Sequence, residues 1–252
     1  MREADLVNIP GKSGLLAVLL SLAAVMLEPA AVAETSRPAS APDFPPLFNT
    51  VGYPGDGFSA LPQWRRVLRE IEQEAEIYQD CADALAPCPS PVLLAWQAMI
   101  KGQVDQPGIK QLRAVNRFVN RWTTKSDQAN YQMSDHWASP LAFLSRSGDG
   151  EDFAIIKYAS LRQLGFSPKQ LRIVVVRDVL RDLPHAVLAV HANDEVFIMD
   201  NLFNAVLPQH RVNQYLPYYS VNEHARFSHL PARSVMMAMA AGNRELERFL
   251  TK

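Results

Sequence analysis

The sequence predicts an α+β protein, and three observations carry that prediction. Apolar residues before about position 125 recur at helical spacing, whereas those after Leu171 fall into short β-branched runs. Between the two lies Phe153 to Leu161, which leaves little polar surface on any face and reads as a buried central helix. Helices followed by a run of antiparallel strands make a mixed architecture with the two element types segregated.

The first segment reads as a signal peptide, residues 1–33. Gly14 to Leu27 is an unbroken run of apolar or small residues behind Arg2 and Lys12, and Ala31-Val32-Ala33 supplies the small-x-small cleavage pattern. As a helix its fourteen residues rise about 21 Å, short of the ~30 Å hydrocarbon core, so cleavage is expected rather than anchorage. Removing residues 1–33 takes away two basic and three acidic side chains and leaves 23 of each sign. That balance argues against nucleic acid or an anionic membrane surface as the main partner. No later stretch is long and apolar enough to span a bilayer, so no membrane span is expected after cleavage.

Residues 34–60 form an extended lead-in, with four prolines between Glu34 and Thr50. The remaining 61–252 read as one domain: a helical part over about 61–130, a core over about 131–225 and a C-terminal helix over about 232–250. Trp64, Val67, Leu68, Ile71, Ala75 and Tyr78 mark a first helix from Pro62, Pro91 opens a second, and a third runs from about Ile109 to Trp122. These stripes are read as core. Cys81 and Cys88 are the only cysteines; an exported chain permits a disulfide, and the short loop between them closes easily.

The buried helix has a clear start and stop. Asp149 is placed as its N-cap with Asp152 three residues on, and Gly165 with Pro168 beyond should end it. Leu171 to Arg177 is strand-like, and His185 to His191 with Val196 to Asp200 reads as a hairpin. A two-residue turn at Ala192-Asn193 sets His185 directly opposite Asp200, with Cβ atoms ~5 Å apart. The carboxylate would then fix one ring nitrogen and leave the other free as a base. Taken alone, such a pair is more often structural than catalytic, and a three-residue loop would put Asp200 on the other face. A residue at the first turn of the buried helix meets unsatisfied N–H groups and a positive dipole, the setting that activates a thiol. Position 150, where such a thiol would sit, is glycine.

Several separate pieces together resemble the bacterial transglutaminase-like cysteine peptidases, the group that includes the LapG-type periplasmic proteases. They are VNRFVN (115–120), DHWASPLAFL (135–144), GDGEDFAIIKYASLRQLGF (148–166), PHAVLAV (184–190), MDNL (199–202) and LPYYSVNE (216–223). The resemblance implies a papain/transglutaminase-like fold, with the central helix packed on an antiparallel sheet. It implies His185 as general base, Asp200 as its orienting acid and Gly150 at the position where the family carries its nucleophilic Cys. Asp149 and Glu151 match acids implicated in calcium binding in LapG-type members, and Asp152 is a further candidate ligand. Helix capping alone is the other reading of these acids, since calcium wants six to eight oxygens. The implied partners are a peptide or surface-adhesin segment and an inner-membrane regulatory receptor, in the periplasm.

Glycine has no attacking atom, so conventional cysteine peptidase chemistry is not expected. The expectation is a pseudoenzyme that binds a peptide or surface-protein segment. One alternative is an active peptidase using water or another nucleophile, or a variant inactivated by a single Cys-to-Gly change. A second alternative is a calcium-binding structural module.

Overall fold

The computed structural model describes residues 44–55, 61–83, 87–234 and Met237. The expected signal peptide 1–33 and most of the expected helix over 232–250 lie outside the described residues. Among the described residues the named elements, six α-helices and seven strands, alternate little: after β1 (Thr50–Pro54) these helices all come before the remaining strands. This is the predicted α+β class. No helix among the described residues is long and apolar enough to cross a membrane.

The helical layer follows the apolar stripes. Helix α1 (Pro62–Asp83) buries Trp64, Val67, Tyr78 and Cys81 on one face. In α2 (Pro91–Lys101) the Ser90 hydroxyl accepts from the Val92 and Leu93 N–H groups, with Pro91 in the first turn, where a missing N–H costs nothing. The Cys81–Cys88 disulfide ties the end of α1 to the approach to α2. Helix α3 (Gly108–Val119) stops three residues before the expected Trp122. Two short helices, α4 (Asp127–Tyr131) and α5 (Pro140–Arg146), lead to α6 (Gly150–Gln163). Every residue of α6 from Asp152 to Leu161 is buried, and Gly165, at φ 91°, turns the chain away after it.

The strands β2 (Leu171–Asp178), β3 (Leu183–Ala192), β4 (Glu195–Met199), β5 (Leu207–Pro208), β6 (Tyr215–Val221) and β7 (Arg226–Pro231) join β1 in one antiparallel sheet. Its order is β1-β7-β6-β2-β3-β4-β5. The expected lead-in therefore supplies an edge strand, paired from Thr50↔Pro231 to Pro54↔Phe227. Both faces of the sheet centre are covered. Ile173, Leu188 and Val190 join the helical core, while Val174, Val176, Val187 and Ala189 pack with Phe44 and Leu47 on the opposite side. Double coverage explains why Ile173 to Val176 is continuously apolar instead of alternating.

The hairpin register differs from the expected one. Ala192 pairs with Glu195, so the turn is Asn193-Asp194, one residue later than Ala192-Asn193. Both central residues have positive φ, 51° and 59°. Such a turn strains alanine, whereas Asn and Asp tolerate it, so the turn settles where the sequence allows. The pairing moves by two residues, the ladder ends at Leu188↔Met199, and His185 is not directly opposite Asp200. A shift of two keeps both side chains on one face, which preserves their meeting.

Candidate functional site

The helix start, β3 and the end of β4 bring Gly150, His185 and Asp200 together. His185 Nε2 lies 2.9 Å from an oxygen of Asp200. Its other ring nitrogen faces the helix: a Cβ built on Gly150 would stand 3.2 Å from His185 Nδ1 and 3.2 Å from the Ala186 nitrogen. A side chain at 150 would thus touch the imidazole directly, once its neighbours gave way by a few tenths of an ångström. Asp200 is fully buried, and burial alone would raise its pKa. Hydrogen bonds from His185, the Leu202 N–H and the Tyr215 hydroxyl outweigh that and hold it below the usual carboxylate range. Asp200 is therefore a charged, fixed acceptor, which orients the ring with Nδ1 toward α6.

The candidates nearest in sequence, and the two cysteines, are engaged elsewhere. Ser145 Oγ donates to Leu141 O and Ser147 Oγ to Thr123 O. Cys81 and Cys88 are joined to each other.

The acids around Gly150 divide into two roles. Asp152 is buried and accepts from the Ala138 N–H at 2.6 Å and the Asp149 N–H at 3.2 Å, completing a capping box. Burial and the surrounding acids push its pKa up to about 8. Asp149 and Glu151 meet two earlier acids, Asp127 at the start of α4 and Asp135 in the segment after it. Carboxylate oxygens of Asp127, Asp135 and Glu151 lie within 4.8 Å of one another, as do those of Asp127, Asp149 and Asp152. Desolvation first, then mutual repulsion, raises Asp127, Asp149 and Glu151 above ordinary carboxylate values. One oxygen each of Asp127 and Asp149 is buried without a hydrogen-bond partner. Orphaned carboxylate oxygens among other carboxylates cost free energy unless a cation satisfies them. An all-oxygen donor set at this spacing fits a hard divalent ion.

The profile described as "Bacterial transglutaminase-like cysteine proteinase BTLCP" matches residues 78–233. The chain belongs to this family. Solved structures of Legionella pneumophila LapG resemble it, in a calcium-bound and an EGTA-treated form. Each is 30% identical, with a TM-score of 0.53 over 61% of this chain. The match covers 86% of the calcium-bound chain and 84% of the EGTA-treated one. A comparison with curated protein sequences gives no match.

In this cysteine proteinase family member, sequence reasoning missed several residues that hold the site. Tyr215 contacts Asp200 from β6. Asn120 Nδ2 donates to Asp200 O at 2.8 Å and Phe203 O at 3.1 Å, while Asn116 Nδ2 reaches Phe203 O and Asn204 O. These asparagines stand four apart, Asn116 on the inner face of α3 and Asn120 at its C-cap, a polar pair in an apolar stripe, and that was a readable signal. Asp127 and Asp135 carried no comparable signal. Lys157, two turns beyond Gly150, is fully buried; burial brings its ammonium down to about 7 against the pull of Asp200.

Proposed function

We propose that this chain is an exported, LapG-type peptidase homologue that binds a protein segment beside α6 and does not cleave it by thiol chemistry. The observation that carries the reading is the 3.2 Å approach of a position-150 Cβ to His185 Nδ1, with Asp200 behind the ring. In this reading Gly150 stands at the nucleophile position, His185 is the base and Asp200 orients it. The base can still take a proton at Nδ1, from water included, but no side chain can form an acyl bond. Asp127, Asp135, Asp149 and Glu151 would hold calcium. The bound ion would neutralise these acids and pin α4 and the segment after it to the start of α6. The orphaned oxygens of Asp127 and Asp149 favour that role, and by themselves they also support a calcium-dependent structural module. By resemblance to the LapG-type proteases, the substrate class is a surface adhesin, the compartment is the periplasm and the regulator is an inner-membrane receptor.

The test compares the chain as it stands with Gly150→Cys on exported adhesin segments. Cleavage is expected only from the Cys form, to be lost again in Gly150→Cys/His185→Ala. Substantial turnover with glycine in place would overturn the reading.

A further inference from the structure

We propose that the cleft between α3 and the β5 edge of the sheet is a docking site for an acidic segment of a partner protein. The cleft has a volume of about 540 Å³ and is lined by three guanidinium groups, Arg113 and Arg117 from α3 and Arg211 from the turn after β5. Ile109, Phe197 and Val206 give it apolar walls, and among the described residues no acidic one lines it.

All three arginines are exposed, and none has an ion pair or hydrogen bond among the described residues. Other arginines are used by the fold. Arg162 pairs with Glu223 and Arg181 with Asp178, while Arg172 and Arg226 lie over aromatic rings. The α3 sequence GIKQLRAVNRFV contains no Asp or Glu, and Arg113 and Arg117, four residues apart, repel each other on one face. Three like charges around one concavity do nothing for folding. Carboxylates satisfy them, because the guanidinium fork accepts a carboxylate in bidentate fashion.

The apolar walls decide the kind of anion. A free oxyanion gains nothing from Phe197 and Val206, whereas a peptide with an apolar side chain between carboxylates uses both features. The concave shape suits an inserted side chain better than a flat lipid surface. The cleft also adjoins the loop that starts at Asp200, because Asn116 clamps Phe203 and Asn204 while Asn204 lines the cleft. An occupant would therefore rest against the segment leading back to the His185 partner. None of this depends on what position 150 can do chemically.

Fluorescence anisotropy tests it on the purified protein, with a labelled peptide carrying several glutamates around one leucine. Binding is expected to weaken as salt rises from 50 to 300 mM, since exposed charges are screened. Arg113→Glu/Arg117→Glu should weaken it at least tenfold and Arg113→Gln/Arg117→Gln by less, with thermal melting unchanged. The same peptide with lysines for glutamates should not bind. No binding of the acidic peptide, equal binding of the lysine peptide, or indifference to both double variants would overturn the proposal. So would binding of inorganic phosphate or phosphatidylserine vesicles without binding of the peptide.

Discussion

In the proposed reading, one missing side chain at position 150 separates the His185–Asp200 pair from a nucleophile. The pair has a support that can be measured once a thiol is supplied. Tyr215 donates to Asp200, and removing one such hydrogen bond to a charged group costs about 1.5–3 kcal/mol. In a Gly150→Cys background, Tyr215→Phe should lower kcat about tenfold and leave KM nearly unchanged; an equal rise in KM would mean that Tyr215 acts on binding. Asp127 is testable without any activity. Calorimetric titration of the unaltered chain with calcium should show binding, and Asp127→Asn, which keeps the acceptor for the His136 N–H, should weaken it at least tenfold. Absence of binding in the unaltered chain would leave these carboxylates as capping groups. Asp149 and Glu151 were legible because they flank Gly150, but Asp127 and Asp135 reach the cluster only through loop folding, which no spacing rule encodes.

Among the elements, the sheet edge made by β1, β7 and β6 depends on a buried histidine. His229 Nδ1 lies 2.8 Å from Thr50 Oγ1, whose proton is already donated to Leu47 O. The ring therefore donates from Nδ1, and Nε2 accepts from Ser220 Oγ at 2.9 Å. Burial, then the charge of Arg172, lowers its pKa to about 4. A histidine depressed in the fold stabilises it fully above the unfolded pKa near 6.5. That contribution fades as the pH falls toward 4, by at most about 3 kcal/mol. Denaturant titrations from pH 7 to 4 should show His229→Gln with the shallower loss; parallel curves would mean that this ring does not set the acid response. Helix positions were readable in the sequence because capping and apolar spacing act locally. Hairpin register was not, because Ala192-Asn193 and Asn193-Asp194 both look like turns until the φ requirement is imposed.

Taken as a whole, the chain has its helical and strand halves fused by α6, whose apolar surface on all sides made its central position readable early. The arrangement of seven strands was less so: β1 comes from a proline-rich lead-in, and β5 is only two residues long. The Cys81–Cys88 bridge closes a short loop between α1 and α2, and such a closure contributes about 2–3 kcal/mol through the unfolded chain. Cys81→Ser/Cys88→Ser should lower stability by that amount in urea unfolding, without altering calcium binding; an unchanged midpoint would mean that helix packing alone fixes the α1–α2 corner. The bridge has one more consequence. Both cysteines of the chain are consumed in it, so none remains as a thiol. Alkylating agents and peroxide, which silence a cysteine peptidase by capping or oxidising its sulfur, find no free thiol here. Whatever this protein does as it stands does not depend on keeping a cysteine thiol reduced.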